Sequence, residues 1–72
     1  MRAEGYQRRR QELAGWPVVI ASYRLEERFI CEIESAGARL AHATGASREA
    51  AEQAAMATGS ARLARTRVQQ VE

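Results

Sequence analysis

The sequence is poor in the features that cross-link or anchor small proteins. Its 72 residues include one cysteine, so no disulfide can form within the chain, which favours a reducing, cytoplasmic setting. No apolar run approaches the roughly 20 residues that span a bilayer, and the first residues lack the apolar stretch of a secretory signal. We therefore expect no membrane partner, and a buried, unreactive thiol at Cys31, which lies in an apolar run.

Side chains for catalysis and metal binding are also scarce. The chain has no aspartate and no lysine, and His42 is its only histidine, with no second ligand beside it in the sequence. A phosphate loop, a CxxC pair and an HExxH motif are all absent. The composition therefore predicts a protein that is not an enzyme and has no catalytic residue, no cofactor and no metal site.

What the chain does contain is enough apolar sequence for one small domain over residues 1–72. Hydrophobic residues make up 46% of it and charged residues 28%, as in globular rather than disordered chains. All eleven basic residues are arginine, and the formal net charge is +2. Arginine suits phosphate and carboxylate recognition, but coding bias explains the same usage, so composition alone leaves a role in nucleic-acid binding open.

Periodicity divides the chain into five elements. Two stretches rich in β-branched and aromatic residues predict a hairpin that turns around Glu26 and Glu27, and Ser47 is a good N-cap for a final helix. The predicted elements are a helix over 3–14, strands over 17–25, 28–35 and 38–43, a helix over 47–65 and a frayed tail over 66–72. This α-β-β-β-α order predicts an α+β fold, a three-stranded antiparallel sheet with two helices packed on one face. Trp16 and Tyr23 are expected to pack under the first helix.

The final helix has small residues on two different sides. At 100° per residue, one side carries Ala51, Ala55, Met56, Gly59 and Leu63, which we expect to face the sheet. The other side is a smooth alanine ridge, which we define as Ala50, Ala54, Ala57 and Ala61. An exposed ridge is explained either by the high helix propensity of alanine or by a docking surface for a partner helix.

A set of apolar and small residues recurs at a characteristic spacing in the second half of the chain. Its members are Phe29, Cys31, Ile33, Gly37, Leu40, Gly45, Ser47, Ala51, Ala54, Ala55 and Leu63. In this spacing the segment resembles the C-terminal half of a double-stranded-RNA-binding domain, and Gly15 and Pro17 suit that family's first helix-to-strand junction. The resemblance implies the α-β-β-β-α fold and binding of duplex RNA through its shape, phosphates and 2′-hydroxyls.

The resemblance also implies which residues touch RNA. Family members use the first helix and the start of the last helix, which in this chain gives Arg8, Arg9, Arg10 and Arg48 as the nucleic-acid-binding residues. Three successive residues of a helix point in three directions, so at most two of the first three could face one ligand.

The chain departs from the family at the other RNA-contacting positions. The connection between the first two strands, around Glu26, is short and lacks the family's Gly-Pro-x-His element. Glu49 and Glu52 occupy positions that are basic in the family, and they oppose the binding of phosphates. Two hypotheses follow. The first is a module that binds duplex RNA weakly and in a salt-sensitive way. The second is a degenerate module that has lost RNA and binds a protein through the alanine ridge or the sheet, or a second copy through the ridge.

Overall fold

Four strands follow one another along the chain and pair in the same order, and a single helix then packs across the sheet. The computed structural model describes residues 3–71, with side chains described for residues 3–65. The elements are β1 (Glu4–Leu13), β2 (Trp16–Leu25), β3 (Arg28–Ser35), β4 (Ala38–Gly45) and α1 (Arg48–Val71). All neighbouring strands are antiparallel, so the sheet is a simple meander.

Each pair of strands is joined by two residues, and the first residue of each of these turns has a positive φ. Ala14 and Gly15 have φ of 54° and 83°, and Ala36 and Gly37 have φ of 55° and 80°. Positive φ at both central residues matches the twist of the flanking strands, and glycine adopts it without steric cost. Glu26, in the predicted hairpin between β2 and β3, has φ of 60°.

The prediction of a helix over 3–14 is wrong, because this segment forms β1 at the edge of the sheet. Arginine, glutamine and glutamate are good helix formers, but that preference is weak and tertiary contacts override it. Here β1 pairs with β2 along most of its length and buries Leu13 against the helix side of the sheet. The observed fold is therefore four strands and one helix rather than three strands and two helices.

The remaining elements lie close to where the sequence predicts them. The strands predicted over 17–25, 28–35 and 38–43 correspond to β2, β3 and β4, and the predicted hairpin joins β2 to β3. The final helix begins at Arg48 and continues to Val71, past the predicted end at residue 65. It thus includes most of the segment for which a frayed tail is predicted, and the side chains of that segment lie outside the described residues.

The core lies between α1 and one face of the sheet, where the helix packs mainly on β3 and β4. Its buried apolar residues are Leu13, Val18, Ile20, Cys31, Ile33, Ala41, Ala51, Ala55 and Leu63. The prediction that the Ala51 side of the helix faces the sheet is therefore confirmed. Gly59 lies on that side, and a methyl group there would stand 3.1 Å from Leu13 Cδ2, so its small size permits the close approach.

Candidate functional site

The start of the helix is tied to the sheet by an arginine that faces inward. Arg48 donates hydrogen bonds through Nη1 to the hydroxyl of Ser22 at 2.7 Å and its carbonyl at 3.3 Å, and through Nη2 to the Gly5 carbonyl at 2.7 Å. Its guanidinium carbon also lies 5.5 Å from the centre of the Phe29 ring, within cation–π range. The charge of Arg48 is thus used to join α1 to β1 and β2.

Glu52 completes this inward-facing network one turn further along the helix. It accepts hydrogen bonds from Arg9 Nη1 at 3.2 Å, from Arg9 Nη2 at 3.3 Å and from the Ser22 hydroxyl at 3.1 Å. Hydrogen bonding to Arg9 holds the pKa of the Glu52 carboxyl below its usual range, against the opposing effect of burial. Ser22 is 1% exposed. Its hydroxyl donates a hydrogen bond to Glu52 and accepts one from Arg48, so it links the two charged side chains.

The network engages two of the four residues predicted to touch RNA. Arg9 and Arg48 point to the helix side of the sheet, whereas Arg8 and Arg10 point to the opposite side because side chains alternate along a strand. Glu52, predicted to oppose RNA as a free charge, is the internal partner of Arg9. The four predicted residues therefore do not form one basic surface.

The other side of the sheet, which we call the open face, carries no covering element among the residues that the structure describes. Strand pairing, alternation and ring stacking place several residues of each strand there, among them Tyr6, Arg8 and Arg10; Val19, Ala21 and Tyr23; Ile30, Glu32 and Glu34; Arg39, His42 and Thr44. The residues form rows across the strands. One row is Arg8, Ala21, Glu32 and His42, and the next is Arg10, Val19, Glu34 and Arg39.

In the two central rows of the open face, charge is separated into short stripes of opposite sign. Arg8 and Arg10 form a positive stripe on β1, and Glu32 and Glu34 form a negative stripe on β3. The stripes are two strands apart, about 10 Å, so they do not pair directly. Among the described side chains, Arg8, Arg10 and Glu34 have no hydrogen bond or ion pair. Their charges are therefore available to an external partner.

Glu32 differs from Glu34 in having neighbours within the domain. Its carboxylate lies 3.7 Å from Arg39 Nη2 and accepts a hydrogen bond from the Tyr23 hydroxyl at 3.4 Å. Partial burial and the nearby Glu32 charge raise the pKa of Tyr23, so its hydroxyl keeps its proton at neutral pH.

Two stacked tyrosines mark one end of the open face. The rings of Tyr6 and Tyr23 are 5.9 Å apart between centroids and inclined by 16°. Tyr6 is 60% exposed, the one large apolar side chain among the described residues to be so accessible. The expectation that Tyr23 packs under a first helix is wrong, because it lies on the uncovered side of the sheet, where no first helix exists.

The other candidate residues are spread over the molecule. The alanine ridge, Ala50, Ala54, Ala57 and Ala61, is exposed on the side of α1 that faces away from the sheet. His42 is exposed on the open face, and no group of three or more metal-ligating side chains occurs in the described part of the chain. Cys31 is fully buried, and that burial raises the pKa of its thiol to about 11, which confirms the expected buried site.

The chain has no match among protein-family models, curated proteins or solved structures. Its described helix is not apolar enough over a sufficient length to cross a membrane.

Sequence reasoning misses the open face because it predicts a helix in place of β1. No alternation of apolar and polar residues reveals this strand, because Arg8, Arg9, Arg10 and Gln11 are all polar.

Proposed function

We propose that this chain is a non-enzymatic protein-interaction module whose binding surface is the open face of the sheet. The observation that carries the proposal is that charged side chains without a partner lie beside an uncovered apolar strip. Arg8 and Arg10 on one strand and Glu34 on another have no partner among the described side chains. Between them lie Val19 and Ala21, both half-buried.

The mixture of charges favours protein over nucleic acid as the partner. Affinity for a phosphate backbone comes from the release of counterions and therefore needs a surface with a marked positive excess. The open face instead places Glu32 and Glu34 in the middle of the sheet, beside Arg39. Protein surfaces supply both signs of charge, so they can complement such a pattern.

Nucleic-acid binding is a second candidate function, favoured by one specific observation. The exposed Tyr6 ring stands beside Arg8 on the same face, and aromatic rings with adjacent arginines stack on bases and contact phosphates. This proposal keeps the weak, salt-sensitive binding to RNA predicted from the sequence. It moves the contacts to β1, because the first helix through which the resembled family grips duplex RNA is a strand in this chain.

Site-specific photo-cross-linking tests the protein-binding proposal. A photoreactive residue is placed at Ala21, in the centre of the open face, or at Ala57 on the alanine ridge as the matched control. Each variant is irradiated in cells that make the chain, and the adducts are identified by mass spectrometry. We expect protein adducts, to other proteins or to a second copy, from the Ala21 site and few from Ala57. Adducts from Ala57 alone would instead support the ridge, and none from Ala21 would contradict the proposal.

An RNA titration tests the second candidate. A duplex of about 20 base pairs is added at low salt, because a domain of the resembled type spans about 16 base pairs. Amide shifts at Tyr6, Arg8 and Arg10 that disappear at about 0.5 M salt would support nucleic-acid binding. Unchanged shifts on the open face would reject it, and a single-stranded oligonucleotide of equal length separates duplex recognition from base stacking.

A further inference from the structure

The charge stripes of the open face have a self-complementary arrangement. The positive stripe on β1 and the negative stripe on β3 lie on either side of β2, and their members share rows: Arg8 is in the row of Glu32, and Arg10 in the row of Glu34. A twofold axis can be placed just above the sheet and parallel to β2. Rotation about this axis exchanges the lateral positions of β1 and β3 and leaves the position of each residue along the strand direction unchanged. It therefore brings β1 of one copy over β3 of the other with the rows aligned.

This operation gives an oppositely charged partner to Arg8, Arg10 and Glu34, which have none in the single chain. Arg10 of each copy faces Glu34 of the other, and Arg8 faces Glu32, so two copies make four opposite-charge pairs. Sheets stacked face to face are about 10 Å apart, a distance that an arginine and a glutamate side chain together can span.

The residues near the twofold axis are suited to packing against the same residues of the second copy. Val19, Ala21 and Tyr23 lie along β2, and in an isologous interface this strip packs on its own copy. Val19 and Ala21 are small enough for two sheets to approach, and all three are half-buried in the single chain. Burying this apolar strip removes it from water and surrounds it with the charge pairs.

We propose that the partner of the open face is a second copy of this chain, in a twofold dimer whose two sheets pack face to face. The inference rests on the proposed function, which makes the open face the binding surface, and adds the identity of the partner. Three overlapping strands give a flat contact of roughly 14 Å by 28 Å, well below the area of a standard interface. We therefore expect a weak dimer, with a dissociation constant between about 10 μM and about 1 mM.

A charge-exchange experiment tests the dimer. Arg10→Glu and Glu34→Arg are suitable because neither wild-type side chain has a described partner inside the domain, so we expect the fold to be kept. In either variant alone the twofold axis brings like charges together, and sedimentation equilibrium should show dimerisation weakened about tenfold or more.

Mixing the two variants in equal amounts should reverse the loss. The chain with Arg10→Glu then carries an acidic side chain at both exchanged positions, and the chain with Glu34→Arg carries a basic one at both. The twofold axis places each acidic position of one chain against a basic position of the other. Association in the mixture should therefore return to at least the wild-type level.

Controls separate this dimer from other modes of association. Ala57→Glu alters the alanine ridge alone and should leave the dimer unchanged, and circular dichroism confirms that each variant is folded. A wild-type chain that is monomeric at about 1 mM overturns the dimer. So does a mixture that fails to restore association, or a dimer that is lost with Ala57→Glu and kept with Arg10→Glu.

The dimer and the proposed function can fail separately. A monomeric wild type whose Ala21 site still cross-links to another protein overturns the dimer and leaves the open face as a protein-binding surface. A monomeric wild type that gives no Ala21 adduct overturns both.

Discussion

The two faces of the sheet use the same kinds of residue in opposite ways. On the helix side, Arg48 and Glu52 bond to the buried Ser22 and Arg9 bonds to Glu52, so each charge has a partner within the domain. On the open face, Arg8 and Arg10, the immediate neighbours of Arg9, have none among the described residues. Charges that are paired internally hold the helix on the sheet, whereas unpaired ones remain for a partner. Composition alone therefore says little about what an arginine does.

Matched substitutions on the two sides of β3 should give the largest difference in stability between the two faces. Ile33 is fully buried on the helix side, and Ile30 is half-buried on the open face. We expect Ile33→Ala to lower the free energy of unfolding by about 2–5 kcal/mol, a large part of the total for a domain of this size, and Ile30→Ala by less than about 1 kcal/mol. Urea denaturation measures both. Equal losses would mean that the open face is covered in solution.

The next largest effect is expected at the centre of the inward-facing network. Ser22→Ala leaves Arg48 and Glu52 without the hydroxyl that joins them, in a site that water cannot easily reach. The free energy of unfolding should fall by about 1–3 kcal/mol. Ala21→Ser, one residue away on the open face, is the control and should change it by less than about 0.5 kcal/mol. A neutral Ser22→Ala would show that the network does not hold the helix.

Acid should weaken the inward-facing network on the helix side of the sheet. The pKa of Glu52 is lowered by Arg9, so the folded chain binds this proton less readily than the unfolded chain does. The contribution of Glu52 is thus complete above the usual glutamate pKa of about 4.3 and is lost as the pH falls from there through the lower folded pKa.

Urea melts between about pH 6 and pH 3 measure this dependence. Glu52→Gln should flatten the fall in stability below about pH 4.5. The same slope in Glu52→Gln as in the wild type would place the acid-sensitive group elsewhere.

The smallest difference in stability is expected between substitutions of two neighbouring arginines on β1. The Arg9 side chain is 44% exposed, so its ion pair with Glu52 is partly screened by water. Arg9→Gln should cost about 0.5 kcal/mol, and Arg8→Gln almost nothing in a dilute, monomeric sample. Thermal melts at low and high salt resolve the two, because salt should reduce the Arg9 effect alone. An equal cost for Arg8→Gln would mean that it has an internal partner.

The second half of the fold follows from local sequence, and the first element does not. The turn around Glu26, the N-cap Ser47 and the Ala51 side of α1 are set by residues close together in the chain, and each is predictable. Ser47 indeed accepts a hydrogen bond from the Ala50 amide at 3.1 Å. The Glu4–Leu13 segment consists mostly of good helix formers, and only pairing with β2 makes it a strand.

The error at β1 also displaces the predicted site. Treated as helix residues, Arg8, Arg9 and Arg10 spread over three directions. As strand residues, they divide between two faces, and the register with β2 decides which one meets Glu52. Arg9 and Glu52 are 43 residues apart in sequence, and periodicity within one segment cannot reveal such a contact. The open face can therefore be found only once the pairing of all four strands is known.

The two-residue connections have a consequence for how the chain folds. Because every strand pairs with its neighbour in sequence, each hairpin can form on its own, within about 1–10 μs for an elementary hairpin. The contacts of Arg48 with Gly5 and of Arg9 with Glu52 close loops of 43 residues, so they carry the greatest entropic cost of closure. We expect the meander to assemble first, with its open face exposed from that point. Arg9 and Arg48 should then join β1 to α1 at the end of folding.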